Sequence, residues 1–228
     1  MPYCSHCGTQ VQTSDLFCRS CGRPLANQSE VESAAPTGAE PASERATPPV
    51  LFTAISTQRV ALMTVISYGL YLFYWFYMTW KQYRDYTKKE AYPVWHAMTL
   101  SVPIYGLFRA HAHVRTYKEL ATSDGIPTSL SPCWAVAGVA VSSVLEWASS
   151  LLALASSGAA VASAFLEILA IAIVAVVLVH VQRNLNAYWK SVKGVNVAPA
   201  RTSVSEIAVG ILGAFSWFLT IGSVAGII

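Results

Sequence analysis

Apolar residues in this chain gather in long runs separated by short basic stretches, and the runs lie beyond an N-terminal portion of about fifty residues that has none. Five runs stand out, at roughly 58–80, 92–108, 132–155, 160–182 and 206–228. A helix rises 1.5 Å per residue, so about twenty apolar residues cross the hydrocarbon of a bilayer. The last three runs satisfy this well. The pattern predicts a mostly α chain whose main part is a multi-pass α-helical membrane domain.

Charge between the runs constrains the path. The stretch 109–131 carries Arg109, Arg115 and Lys118, and 183–203 carries Arg183, Lys190, Lys193 and Arg201. The 156–159 turn and the C-terminal end carry no Lys or Arg. The positive-inside rule places the two basic stretches in the cytoplasm and the other two outside. The first two runs fit less simply. Residues 81–90 hold Lys81, Arg84, Lys88 and Lys89, the densest basic cluster in the chain. A single crossing by 58–80 from a cytoplasmic start would put that cluster outside. Keeping it inside requires 58–80 and 92–108 to turn back. Tyr68-Gly69 in one and Pro103 with Tyr105-Gly106 in the other permit a break. Plain crossing gives five spans and a re-entrant path gives three, and both leave the C-terminus outside.

The two runs also echo one another. Ser67-Tyr68-Gly69-Leu70-Tyr71 parallels Ile104-Tyr105-Gly106-Leu107-Phe108, and each is followed by a stretch rich in Tyr and Lys or Arg. Such stretches suit amphipathic helices at the headgroup level. Gly69-Leu70-Tyr71 followed by Tyr74-Trp75 resembles an uncharacterised prokaryotic multi-pass membrane family, a domain of unknown function, over about residues 56–121. Members often show Gly-Ile-Tyr where Leu70 stands here. The resemblance implies an architecture and no activity.

The N-terminal portion carries different chemistry. Cys4-Ser5-His6-Cys7-Gly8 and Cys18-Arg19-Ser20-Cys21-Gly22 are two Cys-x-x-Cys-Gly knuckles. The two-residue gap lets both thiolates of a knuckle reach one ion, and two knuckles close a tetrahedral site. So few residues bury too little to fold alone, so a metal must supply most of the folding free energy. Cys4, Cys7, Cys18 and Cys21 are therefore the expected ligands of a structural zinc. A rubredoxin-like iron centre and a redox dithiol pair share the spacing. With Pro24-Leu25, this segment resembles the short prokaryotic zinc-ribbon family. That resemblance implies a small β-rich, cytoplasmic module that contacts a protein or nucleic acid. Thiolates kept as metal ligands also suit a reducing compartment, and the first residues do not read as a cleavable signal.

Residues 26–50 are rich in Ala, Ser, Glu, Pro, Thr and Gly, without apolar periodicity. They read as a flexible linker with a reach of roughly 25–30 Å. The expected organisation is a zinc ribbon at 1–25, a disordered linker at 26–50, a first membrane or interfacial region with amphipathic helices at 51–130, and a three-span region at 131–228.

Composition narrows the function. Of 228 residues, 54% are apolar and 12% charged, half the charged share of a soluble domain. A soluble enzyme, a basic nucleic-acid-binding domain and a disordered scaffold are excluded as the whole answer. The net charge of +3 is too small to call for a polyanion, so the expected partners are the bilayer and, through the ribbon, a protein.

Deep within the apolar runs, away from their ends, lies one pair of acids, Glu146 and Glu167. The turn near Ser157-Gly158 puts them at similar depth in an antiparallel hairpin, near the bilayer midplane, where ionisable groups are costly. Ser142, Ser143, Ser149, Ser150 and Ser163 surround them. The pair reads either as a proton- or cation-coupled site or as protonated carboxyls that join helices or recruit a subunit. His111 and His113 point to different sides of a helix, which argues against a metal pair. His180 reads as interfacial, and Cys133 as an inert buried thiol. No nucleophile with a base, phosphate loop or His-Glu zinc helix is visible, so the reading is non-enzymatic. The leading expectation is a multi-pass adaptor of the prokaryotic inner membrane, with its N-terminus in the cytoplasm, that recruits or senses through its ribbon. The alternatives are a small transport or channel component using Glu146 and Glu167, and an accessory subunit of a membrane enzyme.

Overall fold

The computed structural model describes residues 50–227 apart from 156 and 194, together with Gln10. The ribbon, its four cysteines and the linker up to residue 49 lie outside the described residues. Pro48–Ile228 forms one compact unit. It is predominantly helical, with seven α-helices and two short strands among the described residues.

Three helices are long and apolar enough to cross a membrane: α5 (Pro132–Ala155), α6 (Ala160–Ser191) and α7 (Val204–Val224). They coincide with the last three apolar runs, though α6 continues well past residue 182 to Ser191. Pro132 opens α5, where a missing N–H costs nothing. α5 and α6 form an antiparallel hairpin. Ser149 Oγ donates to the Ser163 carbonyl at 3.0 Å and lies 3.1 Å from Ser163 Oγ.

Neither of the first two runs is one long helix. Residues 58–80 divide into α1 (Thr57–Ile66) and the start of α2 (Tyr71–Thr87). Between them Tyr68 and Gly69 both take positive φ, 56° and 83°. That conformation is costly for tyrosine and free for glycine, and it turns the chain back on itself. Residues 92–108 divide into α3 (Pro93–Met98), a 3-10 turn at Thr99–Ser101 and the start of α4 (Pro103–Ser123).

The polar stretches after these breaks are helical, but their rings are not at a surface. Trp80, Tyr83 and Tyr117 are buried. Tyr83 and Tyr117 meet edge to face, and the Tyr117 hydroxyl donates to the Thr79 carbonyl at 2.6 Å. Aromatic pairing inside the bundle outweighs a headgroup position for these side chains. The exposed rings and apolar side chains lie instead on α3 and early α4, at Trp95, Met98, Ile104 and Phe108.

Nothing in the residue pattern signals the two strands. β1 (Val50–Ala54) pairs in parallel with β2 (Val195–Pro199), Val50 opposite Val195 and Ala54 opposite Pro199. Val50, at the end of the expected linker, already belongs to β1. The pair docks on the end of α6, where Phe52 stacks on Trp189 with ring centroids 4.4 Å apart.

Candidate functional site

Four contacts fix the course of α1 and α2 beside α7. At the open end of the hairpin, Arg59 forms a two-pronged ion pair with Glu206, one prong running from Nε to Oε1 at 2.9 Å. The Tyr74 hydroxyl lies 2.9 Å from Ser203 Oγ. Arg59 and Tyr74 therefore both meet the start of α7. Ser203 caps that helix by accepting from the Glu206 amide at 3.1 Å, in the Ser-x-x-Glu pattern of a capping box. Glu206 sends its carboxylate to Arg59 rather than back to the cap. At the closed end, Trp217 Nε1 donates to the Val65 carbonyl at 2.7 Å, and the Tyr68 hydroxyl lies 2.8 Å from Thr220 Oγ1. Thr220 is fourteen residues beyond Glu206, about 20 Å along α7. α1 thus descends alongside α7, turns at Tyr68-Gly69, and α2 returns to the same end. Close approach makes this possible. A side chain at Gly213 would place its first carbon 2.1 Å from the Ser67 backbone.

Just beyond the hairpin tip is a cavity of about 300 Å³ between α5, α6 and α7. Tyr68 enters from the tip, Ser149 and Ser150 from α5, Ser163 and Glu167 from α6, and Thr220 and Ser223 from α7. Leu219, Ala153 and Ala160 complete the wall. Small side chains leave the space, and hydroxyls face it. Glu167 is half-buried and interacts with the Ser149 hydroxyl. Glu146 is exposed, one helical turn before Ser150, and is close enough to interact electrostatically with Glu167. The two acids thus neighbour one another, with Glu167 lining the cavity and Glu146 outside its wall. Tyr68 and Thr220 were not singled out by sequence reasoning. The signal for Tyr68 was present in the Tyr-Gly break, but its partner is 152 residues away.

A second polar cluster lies between the basic ends of the helices. His113 is 1% exposed, and its Nε2 lies 2.8 Å from Thr79 Oγ1. Burial holds its pKa down to about 3, with the neighbouring His96 pushing the same way. Trp75 Nε1 donates to Gln182 at 2.6 Å, Gln182 donates to Asn186 at 2.7 Å, and Asn186 donates to the Ile55 carbonyl at 2.8 Å. These side chains satisfy one another, as buried polar groups must. The cluster joins α2, α4 and α6 and has no open ligand position. His180 packs on Trp134, ring centroids 4.9 Å apart. Cys133, expected to be buried, is exposed in the first turn of α5. No group of three or more His, Cys, Asp or Glu that could hold a metal occurs among the described residues.

Residues 3–25 match the family model of a zinc-ribbon domain. The donor set fits the metal: four thiolates in two Cys-x-x-Cys pairs suit tetrahedral zinc and leave no open position. The chain therefore combines a zinc-ribbon domain with a helical unit that contains three helices able to cross a membrane. The resemblance of residues 56–121 to an uncharacterised membrane family receives no support from these comparisons. No curated protein and no solved structure matches the chain significantly.

Proposed function

We propose that this chain is a non-enzymatic, multi-pass anchor whose ribbon, held by a structural zinc, recruits or senses a cytoplasmic protein. The observation that carries this reading is the pairing of a closed metal module at 3–25 with three membrane-length helices. Zinc bound by Cys4, Cys7, Cys18 and Cys21 supplies the folding free energy that so small a segment lacks. The α1–α2 hairpin supports a single orientation. Of the twelve Lys and Arg of the described residues, all but Arg109, which lies in the first half of α4, belong to the helix portions and connections opposite the α5–α6 turn or to the hairpin's open end. A re-entrant hairpin removes the conflict over 81–90, because that cluster stays on the side of 109–131 and 183–203. By the positive-inside rule this is the cytoplasmic face of the inner membrane.

Affinity purification from native membranes, with quantitative mass spectrometry, tests the reading. The wild type is compared with a Cys18→Ser/Cys21→Ser variant. Partners that vanish with the broken knuckle support recruitment through the ribbon, and partners that persist unchanged overturn it.

The cavity favours a second reading, a small transport or channel component that engages a cation at Glu167, with Glu146 beside it. Broken helices at membrane depth occur where they line a cavity, and the tip at Tyr68 does so. Cation-dependent flux in proteoliposomes that is lost on Glu167→Gln supports this reading, and absence of flux and of cation binding overturns it.

A further inference from the structure

We propose that the cavity at the hairpin tip binds a small solute bearing a primary ammonium group, with Glu167 as its counter-charge. This rests on the second reading and names its ligand class.

Size decides against a bare ion. A volume of about 300 Å³ is some ten times the share of one water in the liquid. A metal ion would leave most of the space to solvent and could reach only one wall. Charge decides the sign. Among the described residues Glu167 is the only ionisable acid or base in the wall other than the Tyr68 phenol, and no described Lys, Arg or His lines it. An ammonium brings both the missing positive charge and donors for the carboxylate. The hydroxyls decide the substitution. An –NH3 group has three donors, one for Glu167 and two for oxygens such as those of Ser163 and Thr220, whereas a quaternary ammonium has none. Quaternary groups are held by aromatic cages, and Tyr68 is the one aromatic residue in this wall among the described residues.

The tip is built to hold its part of the site. Tyr68 keeps a left-handed backbone, which persists only where the surroundings over-determine it. Trp217 packs edge-on against its ring at 4.9 Å, and Thr220 fixes its hydroxyl. That hydroxyl is thereby presented to the cavity at constant position. Glu146, outside the wall, adds negative potential on the approach.

The test uses the full-length protein in phosphatidylcholine nanodiscs. Calorimetric titration compares ethanolamine, tetramethylammonium and sodium, each as the chloride at equal ionic strength. The expected result is ethanolamine binding, no tetramethylammonium or sodium binding, and at least a tenfold loss of affinity in Glu167→Gln. Thr220→Val, which keeps the shape of the wall, is expected to weaken binding several-fold. Sodium binding as tightly as ethanolamine overturns the ammonium assignment but leaves a cation site in place. Failure of all three to bind the folded wild type overturns both. Repeating the titration with phosphatidylethanolamine in the disc separates two sources of the same group. A fall in apparent affinity for free ethanolamine assigns the site to the lipid headgroup, and no change assigns it to a soluble amine.

Discussion

At the scale of single residues, His113 and Glu206 are the clearest cases of a polar group held by tertiary structure. His113 is neutral in the folded chain down to about pH 3, whereas an unfolded histidine titrates near 6.5. Between these values the unfolded chain binds the extra proton, so stability falls as pH falls. From pH 7 to pH 5 the loss is about 2 kcal/mol. Denaturant titration in detergent at the two pH values measures it, and His113→Asn should flatten the difference. Glu206 is 1% exposed and Arg59 22%. Arg59→Gln strands a buried carboxylate and should cost about 3 kcal/mol or more, while Glu206→Gln leaves a cation that can still reach solvent and should cost less. Equal losses in the two variants would contradict this picture. The sequence pointed to neither role. His113 looked like any helical histidine, and the two partners of the ion pair are 147 residues apart. The Ser203-x-x-Glu206 pattern was a readable cap signal, but it identifies only the helix start.

At the scale of elements, what was legible followed from local pattern. α5, α6 and α7 announce themselves because hydropathy over twenty residues needs no knowledge of neighbours. The breaks at Tyr68-Gly69 and before Pro103 were readable as permitted breaks. Whether they are used depends on what packs against them, which at Tyr68 is α7 through Thr220 and Trp217. The strands were illegible for a similar reason. Each has five residues, and their pairing joins segments 145 positions apart. The hairpin depends on close contact at Gly213. Gly213→Leu should therefore force α7 away from Ser67 and destabilise by roughly 1–3 kcal/mol or more. Gly226→Leu provides a comparison, as nothing lies near that position, although its positive φ adds its own strain. The expected readout is loss of protection of the α1–α2 backbone in hydrogen exchange, larger in the Gly213 variant.

At the scale of the whole molecule, the re-entrant course makes a prediction that plain crossing does not. In a Cys133→Ser background, cysteines placed at Lys89, Arg115 and Lys193 should all be labelled by an impermeant thiol reagent from the cytoplasmic side only. Labelling of the Lys89 position from outside would mean that residues 58–80 cross, and would return five spans. The expected β-rich fold of the ribbon and the linker up to residue 49 lie outside the described residues, and the zinc-ribbon model matches residues 3–25 alone.

The parallel pairing of β1 with β2 has a mechanical consequence. Any protein that pulls on the ribbon pulls on the chain ahead of Val50. Tension along β1 meets the ladder to β2 before it reaches α1, and a pull along the strand axis loads the hydrogen bonds of the ladder together rather than one by one. Force is therefore diverted through β2 into α6 and α7, the two helices that flank it in the chain. The hairpin, with its left-handed tip against the cavity, sits behind this strain relief and keeps its geometry while the ribbon is under load.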